Sequence, residues 1–161
     1  MAIIKPFKAI RPKKELAKDV ASRPYDVLNS EEAKIEAQGN PYSFLHVTKS
    51  EIDLPDVTDI HTEVVYHKAK SNLKEMIAKG WLFQEDKACY YIYAQKMWGK
   101  TQYGIVGCAA VEDYLNNIIK KHELTRPDKE EDRKEHIRVT NVNAEPVFFA
   151  YPDNKELDTI V

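Results

Sequence analysis

Six consecutive residues, Lys121-His122-Glu123-Leu124-Thr125-Arg126, bring an imidazole, a carboxylate, a hydroxyl and a guanidinium together. Near neutral pH an imidazole such as His122 can take a proton, give one, or donate a hydrogen bond to phosphate. Glu123 can orient that imidazole, or act as a base itself where its surroundings are apolar. Thr125 and Arg126, with Lys121 and Lys129 nearby, can hold phosphate or carboxylate oxygens, and arginine adds a two-pronged geometry. His122 and Glu123 are therefore the candidate catalytic pair. The plainer reading is that His122 caps the end of a helix while Glu123 and Arg126 are solvated. Spacing alone leaves both open.

Other residues carry weaker signals. Pro24-Tyr25-Asp26 sets a phenol and a carboxylate beside a rigid residue. Tyr25 and Asp26 are candidate ligand contacts, although a turn whose Asp bonds to its own backbone has the same sequence. Asn143 could bind a ligand amide or hydroxyl, or serve as a turn residue before a strand. His46 lies in an apolar run and reads as a satisfied core or edge histidine. His61 and His67 are wrongly spaced for one helix face, so no metal site is proposed. There is no glycine-rich phosphate loop, no Gly-x-Ser-x-Gly and no Cys-x-x-Cys.

The elements that must position these groups follow from periodicity. Val111, Tyr114, Leu115, Ile118 and Ile119 recur at helical spacing, which predicts a helix over Glu112–Lys121 with a buried face. Thr125 and Pro127 break it. His61–Lys79 is the longest expected helix, with Val65, Ala69, Leu73, Met76 and Ile77 as its apolar stripe and Gly80 as its stop. Asn29 and Ser30 are caps for a helix running to about Gln38, and Gly39 ends it. Ile3–Arg11 reads as a strand interrupted near Pro6, Lys13–Val20 as a short helix, and Ser43–Thr48 as a strand. Asp128–Arg138 is almost wholly charged and reads as an exposed helix or a mobile excursion. Glu145–Tyr151 has strand character, and Lys155–Val161 opens a further helix.

Lys87–Met97 and Lys100–Val111 predict a β-hairpin through Trp98-Gly99. A two-residue loop pairs Met97 with Lys100, so Tyr93 faces Gly104 and Tyr90 faces Gly107, where each ring could cover a bare glycine. The same register sets Cys89 opposite Cys108, which allows a cross-strand disulfide, although two small buried thiols are the plainer reading. Apolar residues on both faces suggest a pair covered on both sides. The expected fold is α/β (α+β): a mixed, largely antiparallel sheet centred on this hairpin, joined by Glu145–Tyr151 and flanked by helices.

The 161 residues fit one domain, 1–161. A formal net charge of -2 argues against a broad nucleic-acid footprint, although Lys5, Lys8, Arg11, Lys13 and Lys14 cluster. No apolar run reaches about eighteen residues, so no membrane span is expected. Two cysteines and no signal-peptide core point to a cytoplasmic setting.

Five separated motifs then resemble one family. They are Pro24-Tyr25-Asp26-Val27, Asn40-Pro41-Tyr42-Ser43-Phe44-Leu45-His46-Val47, His122-Glu123-x-Thr125, Lys129-x-x-Asp132-Arg133 and Asn143-x-x-Pro146-Val147-Phe148. Together they resemble domain of unknown function 1015, uncharacterised bacterial proteins often labelled ParB-like and chromosome-partitioning. Its members are longer and continue into an Asp-Gly-His-His-Arg motif absent here, which implies that this chain is an N-terminal part. That motif is similar to a phosphate-binding turn of the ParB and sulfiredoxin superfamily. Some members of that superfamily bind nucleotide, and some phosphorylate small molecules such as free serine. The resemblance thus implies a nucleotide or phosphorylated small molecule as partner, with magnesium accompanying the nucleotide. His122, Glu123, Thr125 and Arg133 would be this chain's share of such a site. The alternative it implies is a binding module without chemistry, either DNA-associated or protein-interacting.

Overall fold

The structure is a computed structural model that describes residues 2–55, 59–122, 124–152 and 154–159. It is mixed α/β, and its contacts divide it into two compact units. A helical unit comprises Arg11–Phe83 and Thr125–Val147; a hairpin unit comprises Met1–Ile10, Gln84–Leu124 and Phe148–Val161.

The helical unit is built on Glu63–Ala78 and Pro127–Thr140. Val65, Ala69, Leu73 and Met76 of the first helix are buried, as their spacing predicts, while Ile77 is exposed. Tyr66 and Asn72 are buried on the same helix. A helix over Ser30–Ala37 starts with a full capping box: Asn29 Oδ1 accepts from Glu32 N at 2.9 Å, and Glu32 Oε2 accepts from Asn29 N at 2.9 Å. Leu28, Ala33, Ala37 and Leu45 form a buried cluster against it.

Ser43–Thr48 is not a strand. Leu45–Thr48 is a turn of helix in which Leu45 and Val47 are wholly buried. Their alternation looks like strand patterning, but side-chain bonds bend the chain first. Asn40 Oδ1 accepts from Tyr42 N at 3.1 Å, and Ser43 Oγ accepts from Leu45 N at 3.3 Å. His46 on this turn is satisfied at both nitrogens. Nδ1 meets Asp53 Oδ1 at 2.8 Å, and Nε2 meets the carbonyl of Asn40 at 3.1 Å. Asn72 Nδ2 donates to Asp53 Oδ2 at 2.7 Å.

The hairpin unit holds Tyr91–Met97 against Lys100–Val106 in the expected register, Met97 opposite Lys100 and Tyr93 opposite Gly104. Trp98 and Gly99 both have positive φ, 49° and 78°, the pattern of a type I′ turn. No single central sheet forms among the described residues. They make three two-stranded ribbons: this hairpin, Ile4–Lys5 with Cys108–Ala109, and Ile10–Pro12 with Leu82–Gln84.

Several expectations need correction here. The hairpin is not covered on both sides, since Ile92, Tyr93, Met97 and Tyr103 are exposed. Nothing lies within 4 Å of a Cβ added at Gly104, so the Tyr93 ring does not sit on it. At Gly107 an added Cβ would meet Ile4 Cγ2 at 2.6 Å and Tyr90 Cδ1 at 3.3 Å, so that glycine does admit its neighbours. Cys89 and Cys108 are free and exposed rather than buried, and each is engaged elsewhere: Cys108 pairs with Lys5, and Cys89 bridges to Phe7. The helix expected over Glu112–Lys121 is only Val111–Leu115, and its Val111, Tyr114 and Leu115 are exposed, as is Ile118 beyond it. Asn117 at φ 57° breaks the run that Thr125 and Pro127 were expected to break. Its buried residue is polar: Asp113 Oδ2 accepts from Ile3 N at 2.6 Å. Glu145–Tyr151 forms no strand among the described residues, because β-propensity is expressed only against a partner strand.

Two outcomes are expected. Trp98 is 92% exposed in a left-handed conformation, so it packs little and carries strain. Trp98→Asn should stabilise the hairpin by about 1 kcal/mol, read as slower amide exchange across Tyr91–Met97.

The second concerns pH. The Asp53 bond holds His46 above its usual pKa despite burial. Asp53 is held below its own, the bonds from His46 and Asn72 outweighing the opposing effect of burial. Lys68 faces both from the long helix. The His46 contribution is complete below its unfolded pKa and lost as pH rises through the folded one. The Asp53 contribution is complete above its unfolded pKa and lost as pH falls through the folded one. The stability gap between wild type and His46→Gln should therefore be widest from about pH 4 to 6.5. Urea midpoints across pH check this.

Candidate functional site

Pro127–Thr140 carries the site. Its Lys129, Asp132, Arg133 and His136 are spaced i, i+3, i+4 and i+7, which places them on one face. That face is polar and inward. Asp132, His136 and Thr140 are buried, whereas Ile137 is exposed. The charged segment is thus a helix, as one of its two readings held, but it is not wholly exposed. Pro127 at its first position suits a helix start, since the missing N–H would be unsatisfied anyway.

Asp132 is the centre. Its side chain is only 6% exposed. Oδ1 accepts from Tyr66 OH at 2.7 Å and meets His61 Nδ1 at 2.8 Å. Oδ2 accepts from Arg133 Nε at 3.0 Å and Nη2 at 2.6 Å. Burial works against its charge, yet the donors outweigh it and keep the carboxyl below the ordinary range. Burial, and then the bond to Asp132, push the Tyr66 phenol upward. His136 Nε2 meets the carbonyl of Val47 at 3.0 Å, and its burial lowers its pKa, so it is a neutral structural donor.

Arg133 is shared three ways. Besides Asp132, its Nη1 donates to Glu145 Oε2 at 3.2 Å, and its guanidinium lies 4.0 Å from the centroid of the Tyr25 ring. Glu145 Oε1 is buried with no partner among the described residues. Burial raises the Glu145 carboxyl above its usual range, although Arg133 opposes this. Asn143 Oδ1 accepts from Glu145 N at 3.4 Å.

Tyr25, Lys129, Asp132, Arg133 and His136 border a cleft of about 300 Å³. The Tyr25–Val27 turn, the Thr48–Glu51 segment, His61 and Tyr66 supply further walls. Lys49 Nζ and Glu51 Oε1 form a buried pair at 3.1 Å there, and Ser30 Oγ donates to the same oxygen at 2.8 Å.

Of the residues nominated from sequence, Tyr25, Asp26, Lys129 and Arg133 line this one cleft. Asn143 is exposed and does not line the cleft; its Oδ1 accepts from Glu145 N in a local turn. Thr125 and Arg126 are exposed ahead of the helix, and Arg126 Nη2 is spent on Asp128 Oδ2 at 2.6 Å. His122 is exposed in the hairpin unit, and Glu123 lies outside the described residues. The sequence reading did not nominate His61, Tyr66, Asp132 or His136. The i, i+4, i+8 recurrence of Asp132, His136 and Thr140 was the available signal, but it is polar, and a search for apolar stripes passes over it.

Among the described residues no three acidic, histidine or cysteine side chains gather to hold a metal. Magnesium carried on a nucleotide needs only one or two carboxylates beside the phosphates. Asp26 is an exposed carboxylate in the lining of the cleft. No helix among the described residues is long and apolar enough to cross a membrane.

The chain belongs to the family described as protein of unknown function (DUF1015), which it matches over residues 4–161. No curated protein and no solved structure matches it.

Removing Asp132 should unsettle the whole face. Asp132→Ala is expected to cost about 3–5 kcal/mol, because Arg133 loses its buried counter-charge. Tyr66→Phe should cost about 1.5–3 kcal/mol, one hydrogen bond to a charged group. Because the Asp132 carboxyl is depressed in the fold, its contribution is present above about pH 4 and fades as pH falls. Urea unfolding at neutral and acid pH checks both.

Proposed function

We propose that the helical unit of this DUF1015 chain binds a phosphorylated small molecule or a nucleotide, with Lys129 and Arg133 meeting the phosphate. This reading extends to phosphoryl transfer and to kinship with ParB/sulfiredoxin-like proteins, as the sequence resemblance implies. The observation that carries it is the Arg133 guanidinium at 4.0 Å from the Tyr25 ring at the edge of the cleft. A stacked arginine is pre-oriented, so little freedom is lost when its planar fork meets a phosphate. Lys129 lies one turn earlier on the same face and is exposed, with no carboxylate partner among the described residues.

Glu145 fits the same reading. It occupies Arg133 Nη1 while its other oxygen goes unbonded and its charge is disfavoured by burial. A phosphate oxygen would replace it at little cost. The volume is near the lower end for small-molecule sites, which favours a compact metabolite or the phosphate end of a nucleotide. His122 and Glu123 stand as a separate proposed base, tested by turnover in His122→Ala.

Thermal-shift and calorimetric titration with inorganic phosphate, nucleotides and phosphorylated metabolites test the reading. A true ligand at 100 times its Kd should add about 2.7 kcal/mol of stability. Lys129→Ala should weaken binding roughly tenfold, one charge-assisted bond, and Glu145→Gln should tighten it. No response to any of these, together with salt-sensitive duplex binding, would favour the DNA-associated module instead.

A further inference from the structure

Asp132 orients His61 as firmly as it holds Arg133. An ionised carboxylate only accepts hydrogen bonds, so His61 Nδ1, at 2.8 Å from Oδ1, must carry a hydrogen. A neutral imidazole protonated on Nδ1 has its lone pair on Nε2. Among the described residues nothing bonds Nε2, and the side chain, 46% exposed, borders the cleft. The ring is held by Asp132, and two further bonds support that contact. Tyr66 OH holds the same Oδ1 at 2.7 Å, which stops the carboxylate swinging away. Asp59 Oδ1 accepts from His61 N at 2.9 Å, a local turn that sets the backbone.

We propose that His61 is the proton-transfer group of the cleft, a general base toward water attacking a bound phosphate monoester, with Asp132 as its positioning residue. The proposal rests on the phosphate-binding reading above. His61 and Arg133 bond opposite oxygens of one carboxylate, so a base and a phosphate-holding cation stand side by side. In the step, a water O–H gives its proton to Nε2 and the water oxygen bonds to phosphorus. The ester P–O bond breaks, and the departing oxygen takes the proton back from the imidazolium. Nothing is oxidised or reduced. Asp132 offsets the transient positive charge on the ring without accepting the proton itself.

Three measurements on the intact chain test this. First, ¹⁵N imidazole shifts of His61, assigned by their loss in His61→Gln, should report the Nδ1–H form of the neutral ring; a dominant Nε2–H form overturns the proposal. Second, hydrolysis of p-nitrophenyl phosphate should fall about 100-fold or more in kcat in His61→Gln, with inorganic phosphate still bound. Lys129→Ala should instead raise KM. Third, in Asp132→Asn kcat should fall and the Nε2–H form should appear in the His61 ¹⁵N spectrum, because the amide no longer forces the hydrogen onto Nδ1. If that variant does not fold, the tautomer and His61→Gln results still decide. Wild-type protein that binds phosphate but does not hydrolyse the ester, or hydrolyses it equally well as His61→Gln, sinks the His61 role and leaves the binding reading standing. Failure of wild type to bind phosphate sinks both.

Discussion

A carboxylate withdrawn from water must be repaid in hydrogen bonds, and the helical unit is arranged around that constraint at Asp132. Its donors come from three parts of the chain: His61 before the long helix, Tyr66 within it, and Arg133 beside it in sequence. The Tyr66 bond clamps Pro127–Thr140 to Glu63–Ala78, the His61 bond ties in the segment ahead of that helix, and the Arg133 bonds stay within Pro127–Thr140. The same bonds set chemistry. They choose the His61 tautomer, orient the Arg133 fork and hold the Tyr66 phenol protonated. Structure and site cannot be separated here, because they share the same four side chains.

Local geometry was legible where one residue type has one physical job. Asn29 with Glu32 specified a helix start, and Gly39 at φ 75° and Gly80 at φ 69° its stops. The stripe Val65, Ala69, Leu73 and Met76 specified the long helix, and Trp98-Gly99 specified the hairpin and its register. What failed depended on partners. Val111, Tyr114 and Leu115 have helical spacing but stay exposed, and Val147 and Phe148 have strand propensity but no strand to meet. A pattern states which face would be buried; only the rest of the fold supplies something to bury it against.

The site was half legible for a related reason. Tyr25, Asp26, Lys129 and Arg133 could be nominated because their groups suit a ligand wherever they stand. Asp132 and His136 look like ordinary members of a charged run until burial is known. His61 was judged against His67, six residues away, whereas its working partner is Asp132, far along the chain. Sequence spacing can rule a helix-borne pair in or out. It carries no information about an imidazole and a carboxylate joined only by the packing of two helices.

The division of charge within the cleft follows from burial. Lys49 with Glu51, and Arg133 with Asp132, are matched pairs, since an unmatched charge at that depth would cost several kcal/mol. Their fields largely cancel beyond their own contacts. The polar groups exposed at the edge of the cleft include Lys129, Asp26 and the outer nitrogen of His61. Exposed charges are screened by salt, so Lys129 and Asp26 weigh less in the electrostatics of the unit than the buried pairs do. Glu145 is the exception, a half-buried acid with one oxygen on Arg133 and the other without a partner among the described residues. Burial disfavours its charge more than Arg133 supports it, which is why its carboxyl sits above the usual range.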